Sequence, residues 1–270
     1  MNATNATPPS PLSAPRVTPH ALHAFGGIWR LTFRRFLVPG PIVGGLVGLV
    51  LLTLLTFAIV RPGRVMPFSN WTAGFYLTFL VPLLAFLSGG GAMRDEMKPS
   101  SVDYVLTRPV RRTAFVVFRF LSHLVCLQVI YLFALAAIVA VGMVRGIPDV
   151  DAMLPRLLLA QLLTVTAFTA FGFFCATLTS RFLVIGLFYG GVVEVGIGNI
   201  PTQLSRLSLL QQVRSLIQPV MRGIPLPPDG LPSEWSVVLF VIGFTVLSVG
   251  AAALWFSMQE LAGAKAARDA

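Results

Sequence analysis

Polarity in this chain changes in long blocks, without the strict alternation of strands or the narrow stripe of a soluble helix. Six apolar stretches stand out, at approximately 41–60, 71–92, 120–144, 157–179, 182–200 and 235–258. Each has about 20 residues, the length a helix needs to cross ~30 Å of hydrocarbon. Five of them hold no charged side chain, and 182–200 holds only Glu194. Backbone groups in hydrocarbon must be paired within the protein, and uninterrupted runs of this length exclude a β-barrel. The pattern therefore predicts an all-α polytopic membrane protein with six spans.

Two other stretches carry helical stripes. Residues 20–37 set Leu22, Phe25, Trp29, Phe33 and Phe36 along one face, with Arg30, Arg34 and Arg35 nearby. This predicts an amphipathic helix on the inner leaflet, ended by Pro39-Gly40-Pro41. In residues 204–220, Leu207, Leu210, Val213, Leu216, Ile217 and Val220 recur at three- and four-residue spacing. They oppose Arg206, Gln211, Arg214, Ser215 and Gln218, which predicts a short extracytoplasmic helix between spans five and six. The resulting plan has a disordered cytoplasmic tail at 1–19 and one transmembrane domain at 20–260. A cytoplasmic loop at 93–113, an outer segment at 201–234 and a cytoplasmic tail at 261–270 complete it.

Composition supports the membrane reading. Of the 270 residues, 56% are hydrophobic and 11% charged, against roughly 25% charged in soluble domains. Mean hydropathy is +0.82. The net charge of +10 does not point to nucleic acid, because the basic residues flank apolar blocks and form no stripe with interleaved aromatics. Placing the N-terminus in the cytoplasm puts Arg16, Arg30, Arg34, Arg35, Arg94, Lys98, Arg108, Arg111, Arg112, Arg119, Arg181, Lys265 and Arg268 inside. Arg61, Arg64, Arg145, Arg156, Arg206, Arg214 and Arg222 then lie outside. Positive charge favours the inner side, so both termini are expected there.

Chemistry is sparse. There is no P-loop, no His-Glu-x-x-His, no Gly-x-Ser-x-Gly and no metal-ligand spacing, so no cofactor and no catalytic site is expected. Cys126 and Cys175 lie in apolar runs and make no disulfide framework. Ser88-Gly89-Gly90-Gly91 leads into no Lys-Ser/Thr and reads as a flexible helix end. His123, Gln128 and Gln161 read as packing residues within spans. Glu194 lies about 18 Å into its span at 1.5 Å per residue. It must face protein or a wet cavity, either as a clamp, through Tyr189 or the outer segment, or as a pathway gate.

The densest charge lies between spans two and three, in Met93-Arg94-Asp95-Glu96-Met97-Lys98-Pro99-Ser100-Ser101 and on through Arg108-Pro109-Val110-Arg111-Arg112. This loop resembles that of the type-2 permeases of ABC transporters, the export family. Glu96 stands for the acidic residue, Ser100-Ser101 for the usual Gly-Thr, and Pro109-Val110-Arg111-Arg112 for the Pro-Val-x-Arg element. Arg119 takes the place of the usual basic residue, and its charge is expected to snorkel to the inner headgroups. Tyr189-x4-Glu194 followed by an amphipathic stretch recurs in one branch of the family. Pro99 and the serine pair depart from the usual residues.

The resemblance implies a permease subunit of an ATP-driven exporter in a bacterial inner membrane. A second copy of the chain, as a homodimer, and two copies of a separate cytoplasmic P-loop ATPase would complete the machine. It also implies ATPase coupling by Glu96, Ser101, Arg108, Pro109, Arg111 and Arg112. Two rivals remain: a non-transporting mechanotransmitter whose outer partner docks at 201–234, and a proton-coupled secondary carrier using Glu194. Spans rich in Phe, Leu, Val and Gly suit lipid-like cargo and lipid-facing surface equally.

Overall fold

A computed structural model of the chain describes residues 21–98, 111–196, 208–220 and 233–258, and these contain helices and no strand. The elements are α1 (Ala21–Phe36), α2 (Pro39–Ile59), α3 (Val65–Glu96), α4 (Arg112–Val144), α5 (Val150–Leu178), α6 (Phe182–Tyr189), α7 (Leu209–Ile217) and α8 (Glu234–Met258). The tails 1–19 and 261–270 lie outside the described residues. So does most of the loop 93–113 and most of the outer segment 201–234.

Among the described residues, five helices are long and apolar enough to cross a membrane: α2, α3, α4, α5 and α8. The expected fifth span, 182–200, is described only to Gly196. There α6 widens into a π-helical stretch, Gly190–Gly196, and its apolar part, Phe182–Glu194, is shorter than a span. Three glycines and a carboxylate explain the change, since Gly is a poor helix former and Glu194 takes its partners from another element.

The break between α1 and α2 falls one step earlier than expected. Leu37 and Val38 make it, and Pro39 opens α2. A proline in the first turn costs nothing there, because its missing N–H would have had no intrahelical partner. Helices α3, α4 and α5 also begin before their apolar blocks, at Val65, Arg112 and Val150. Hydropathy marks only the portion suited to lipid, whereas the hydrogen-bonded helix continues wherever tertiary contacts hold it.

Helix α5 is the hub and packs on α3, α8, α4, α7 and α6. Its tightest partner is α3. A Cβ placed on Gly89 would sit 2.5 Å from the Thr169 carbonyl oxygen, and one on Gly172 would sit 2.3 Å from that of Phe86. The two backbones touch, as small residues allow in membrane helix pairs. Gly90 and Gly186 likewise make room for the rings of Phe182 and Phe86. The glycine run is therefore no flexible helix end: Gly89 to Gly91 lie inside α3, and Gly89 and Gly90 form its contact face.

Residues Asn70–Leu80 of α3 are π-helical. Trp71 Nε1 donates to Thr56 Oγ1 of α2 at 2.9 Å, and the Tyr76 hydroxyl donates to Gln161 Oε1 of α5 at 2.6 Å. These bonds hold the wider turns against neighbours on both sides. By contrast α2 is nearly free of the bundle, with Thr56 its one buried residue.

Gly172→Val forces a branched side chain into the α3–α5 contact and should cost about 1–3 kcal/mol, the usual penalty of overpacking. Gly44→Ala on α2 meets open space and should cost nothing. Thermal unfolding of the two variants in detergent separates them; equal midpoints would contradict the packing.

Candidate functional site

Two polar clusters stand out, each built on a carboxylate. The first closes the Glu96 end of α3. Glu96 is 5% exposed, and its Oε1 lies 3.0 Å from Arg35 Nη1 of α1 and 3.1 Å from Arg119 Nη2 of α4. Arg119 Nη1 also donates to Thr32 Oγ1 of α1, whose own hydroxyl reaches back to the Ile28 carbonyl at 2.9 Å. One carboxylate thus joins three helices.

The position of α1 makes this possible. It lies across α4, with Phe25 edge-on to Phe118 at 5.4 Å and Phe36 beside the His123 ring at 5.3 Å. The aromatic stripe faces the protein along part of its length, so Thr32 is carried inward and Arg35 reaches the end of α3. Arg119 does not snorkel: it is 3% exposed. Two turns of α4 precede it and α1 covers it, so its charge is cut off from headgroups. Burial in such a setting demands a partner, and Glu96 supplies it.

Of the other residues expected to couple to an ATPase, two are described. Arg111 precedes the first turn of α4 and is exposed, while Arg112 opens the helix and is half-buried. Ser101, Arg108 and Pro109 lie outside the described residues. Asp95 and Lys98 pair at 2.7 Å on the surface. Sequence reasoning missed Arg35 as a partner of Glu96 and Thr32 as a partner of Arg119. The signal available was their three-residue spacing on α1, which puts both on one face.

The second cluster surrounds Glu194 in the π-helical end of α6. Ser208 Oγ donates to Glu194 Oε2 at 2.5 Å, the Leu210 amide donates to the same oxygen at 3.0 Å, and the Leu209 amide donates to Oε1 at 3.1 Å. Ser208 is itself the N-cap of α7 and accepts from the Gln211 amide at 3.1 Å. Tyr189 stands five positions earlier in the same helix, close enough for its hydroxyl to feel the Glu194 carboxylate. The carboxylate therefore sits on the positive end of α7 and pairs amides that the helix cannot pair itself. It is 7% exposed. Of the two roles open to Glu194, this arrangement has the geometry of a clamp. Tyr189 packs on Phe171 of α5 at 4.6 Å, so the clamp also touches the hub.

Between the clusters, buried polar groups tie neighbouring helices. Ser88 Oγ and His123 Nε2 lie 3.1 Å apart, and Gln128 Nε2 donates to Thr166 Oγ1 at 3.1 Å.

The family pattern described as ABC-2 family transporter protein matches residues 13–261, from before α1 to beyond α8. The chain belongs to this family. A search of curated proteins finds no match. As an ABC-2 protein the chain is an integral membrane protein with a permease role, a component of transport and not itself the catalyst. ABC-2 permeases generally work with a cytoplasmic ATPase.

Glu96→Ala leaves Arg119 buried beside Arg35 with no counter-charge. In this ABC-2 chain the loss should be about 3–5 kcal/mol. Arg35→Ala, at a half-exposed position, should cost under about 1 kcal/mol. At the other end, Ser208→Ala removes an N-cap worth about 1 kcal/mol. Its effect should be strongly reduced once Glu194 is Gln, because the two act as one unit. A double-mutant cycle read by unfolding in mixed micelles checks this; simple additivity would break the clamp apart.

Proposed function

We propose that the chain is the permease subunit of an ATP-driven exporter in a bacterial cytoplasmic membrane, with both termini inside. It works as a homodimer with two copies of a separate P-loop ATPase, and loop 93–113 receives the force of ATP-driven closure. The observation that carries this reading is the Glu96–Arg35–Arg119 junction. It sits where α3 enters the loop, and Arg111 and Arg112 stand where α4 leaves it. A push on the loop is delivered to α3 and α4 through the buried Glu96–Arg119 pair, and to α1 through Thr32 and the half-exposed Arg35.

Force then has a defined route. From α3 it crosses to α5 through the glycine contact, and α5 in turn holds α7 and the Tyr189–Glu194 clamp. Packed interfaces of this sort switch between discrete arrangements and do not deform smoothly, which suits gating. In this scheme Glu96 is a positioning residue that holds the loop's root, and Arg111 is the charge presented to the ATPase.

A proton-coupled carrier would need Glu194 to exchange protons with water. Both of its oxygens already accept hydrogen bonds from Ser208, Leu209 and Leu210, which favours the clamp. A mechanotransmitter uses the same junction and the same route; it differs only in moving no cargo.

Co-purification of the detergent-solubilised chain with mass spectrometry should recover a P-loop ATPase at roughly one per permease chain. The double variant Arg111→Glu with Arg112→Glu should insert normally and lose that partner about tenfold or more, equivalent to ~1.4 kcal/mol of binding. Undiminished recovery from the variant would remove the loop assignment. Reproducible absence of any ATPase from the intact chain would move the reading to a carrier.

A further inference from the structure

A cavity of about 200 Å³ lies between the π-helical part of α3 and the polar face of α7. Ser69, Asn70 and Gly74 of α3 line it opposite Gln211, Arg214 and Gln218 of α7. We propose that this cavity binds the anionic headgroup of an amphiphile, with Arg214 as the charge partner.

Depth makes the first argument. Arg214 Nη2 reaches Thr78 Oγ1 at 3.4 Å. Thr78 lies seven residues along α3 from Trp71, in π-helical turns that rise less than the 1.5 Å per residue of an α-helix, so under about 10 Å from it and roughly 20 Å from Ala92. Counted from the apolar block that opens at Trp71, Thr78 falls within a hydrocarbon layer of ~30 Å, so the Arg214 guanidinium, expected on the outer side, reaches in past its edge. A guanidinium at that depth cannot face lipid tails alone and marks a wet or ligand-filled place. Arg214 is nevertheless exposed, and among the described residues no carboxylate pairs with it. The nearby carboxylate, Glu194, is occupied by Ser208 and the first amides of α7.

The lining adds a second, independent argument. Ser69 borders the cavity, is 1% exposed, and its hydroxyl has no hydrogen-bond partner. A buried hydroxyl left unpaired is costly unless something polar arrives. Amide and hydroxyl donors beside a guanidinium match a phosphate or carboxylate, which only accepts.

The exposed face of α3 argues for an amphiphile over a free anion. From Asn70 and Gly74 it continues to Phe79, 54% exposed, and Leu84, 43% exposed. A headgroup held at Arg214 would lay its tail along that apolar strip. The site does not depend on the transport reading; where that reading holds, it specifies an acidic, lipid-like cargo.

The test measures thermal unfolding of the full chain in detergent micelles with added dioleoylphosphatidylglycerol, dioleoylglycerol or inorganic phosphate. Phosphatidylglycerol should raise the midpoint by about 3 °C or more, with little effect from the uncharged lipid or from phosphate. Arg214→Gln should abolish the shift and Arg214→Lys should retain most of it. Gly74→Leu grows a side chain from a position where a Cβ meets nothing within 4 Å; its midpoint without lipid should match the wild type's, and it should lose the shift by filling the cavity. An equal shift in wild type, Arg214→Gln and Gly74→Leu overturns the site. An equal shift from phosphate alone or from dioleoylglycerol overturns the amphiphile assignment. ATPase co-purification is unaffected by any of these results, so the site and the transport reading fail separately.

Discussion

The contact between α3 and α5, where Gly89 meets Thr169 and Gly172 meets Phe86, is the constraint on which the other arrangements rest. Lipid tails are as apolar as leucine, so helices in a bilayer gain little from hiding apolar side chains from one another. What remains is close packing, and glycines let two backbones come near enough for it to count. Once α3 is held there, its one end presents Glu96 to α1 and α4, and its other end presents Ser69, Asn70 and Thr78 to α7. Helix α5 does the complementary work by contacting almost every other element.

Charge is the second organising influence. A carboxylate or guanidinium away from water is tolerated only with a partner, and each buried charge here obtains one by bringing separate segments together. Glu96 and Arg119 draw α1 down onto α4. Glu194 draws the N-terminus of α7 onto α6. In both places the polar group fixes which segments meet, whatever its net contribution to stability. The result is a bundle whose two ends are locked by different chemistry, an ion-pair junction at one and a helix cap at the other.

These locks differ in what they transmit. The junction is formed by long, flexible side chains gathered around one oxygen, and it resists separation in every direction. The cap is directional, because backbone amides of α7 point along its axis toward Glu194. The cap therefore fixes the start of the same short helix that carries Gln211, Arg214 and Gln218. Helix α2 takes a smaller part: Thr56 is its one buried residue, Leu52 packs on the core, and Arg145 meets Phe57 near its end.

Much of the architecture could be read from the sequence alone. The thickness of hydrocarbon converts directly into residues per helix, so blocks such as 41–60 and 235–258 announced α2 and α8 almost to the residue. The stripe of Phe25, Trp29 and Phe36 likewise announced α1, and the loop around Glu96 and Arg111 announced the family. Tertiary structure alone decided the rest. Hydropathy is a sum over a local window, whereas the pairing of Glu96 with Arg35 and Arg119 depends on three helices meeting in space. For the same reason Arg119 resembled a surface anchor, and the glycines at 89–91 resembled a loose end although two of them are the tightest contact face in the bundle. The pairing of Glu194 with Ser208 and the amides beyond it likewise joins two segments that a local window reads separately. Local composition says what a segment can tolerate; only the fold says which buried charge finds which donor.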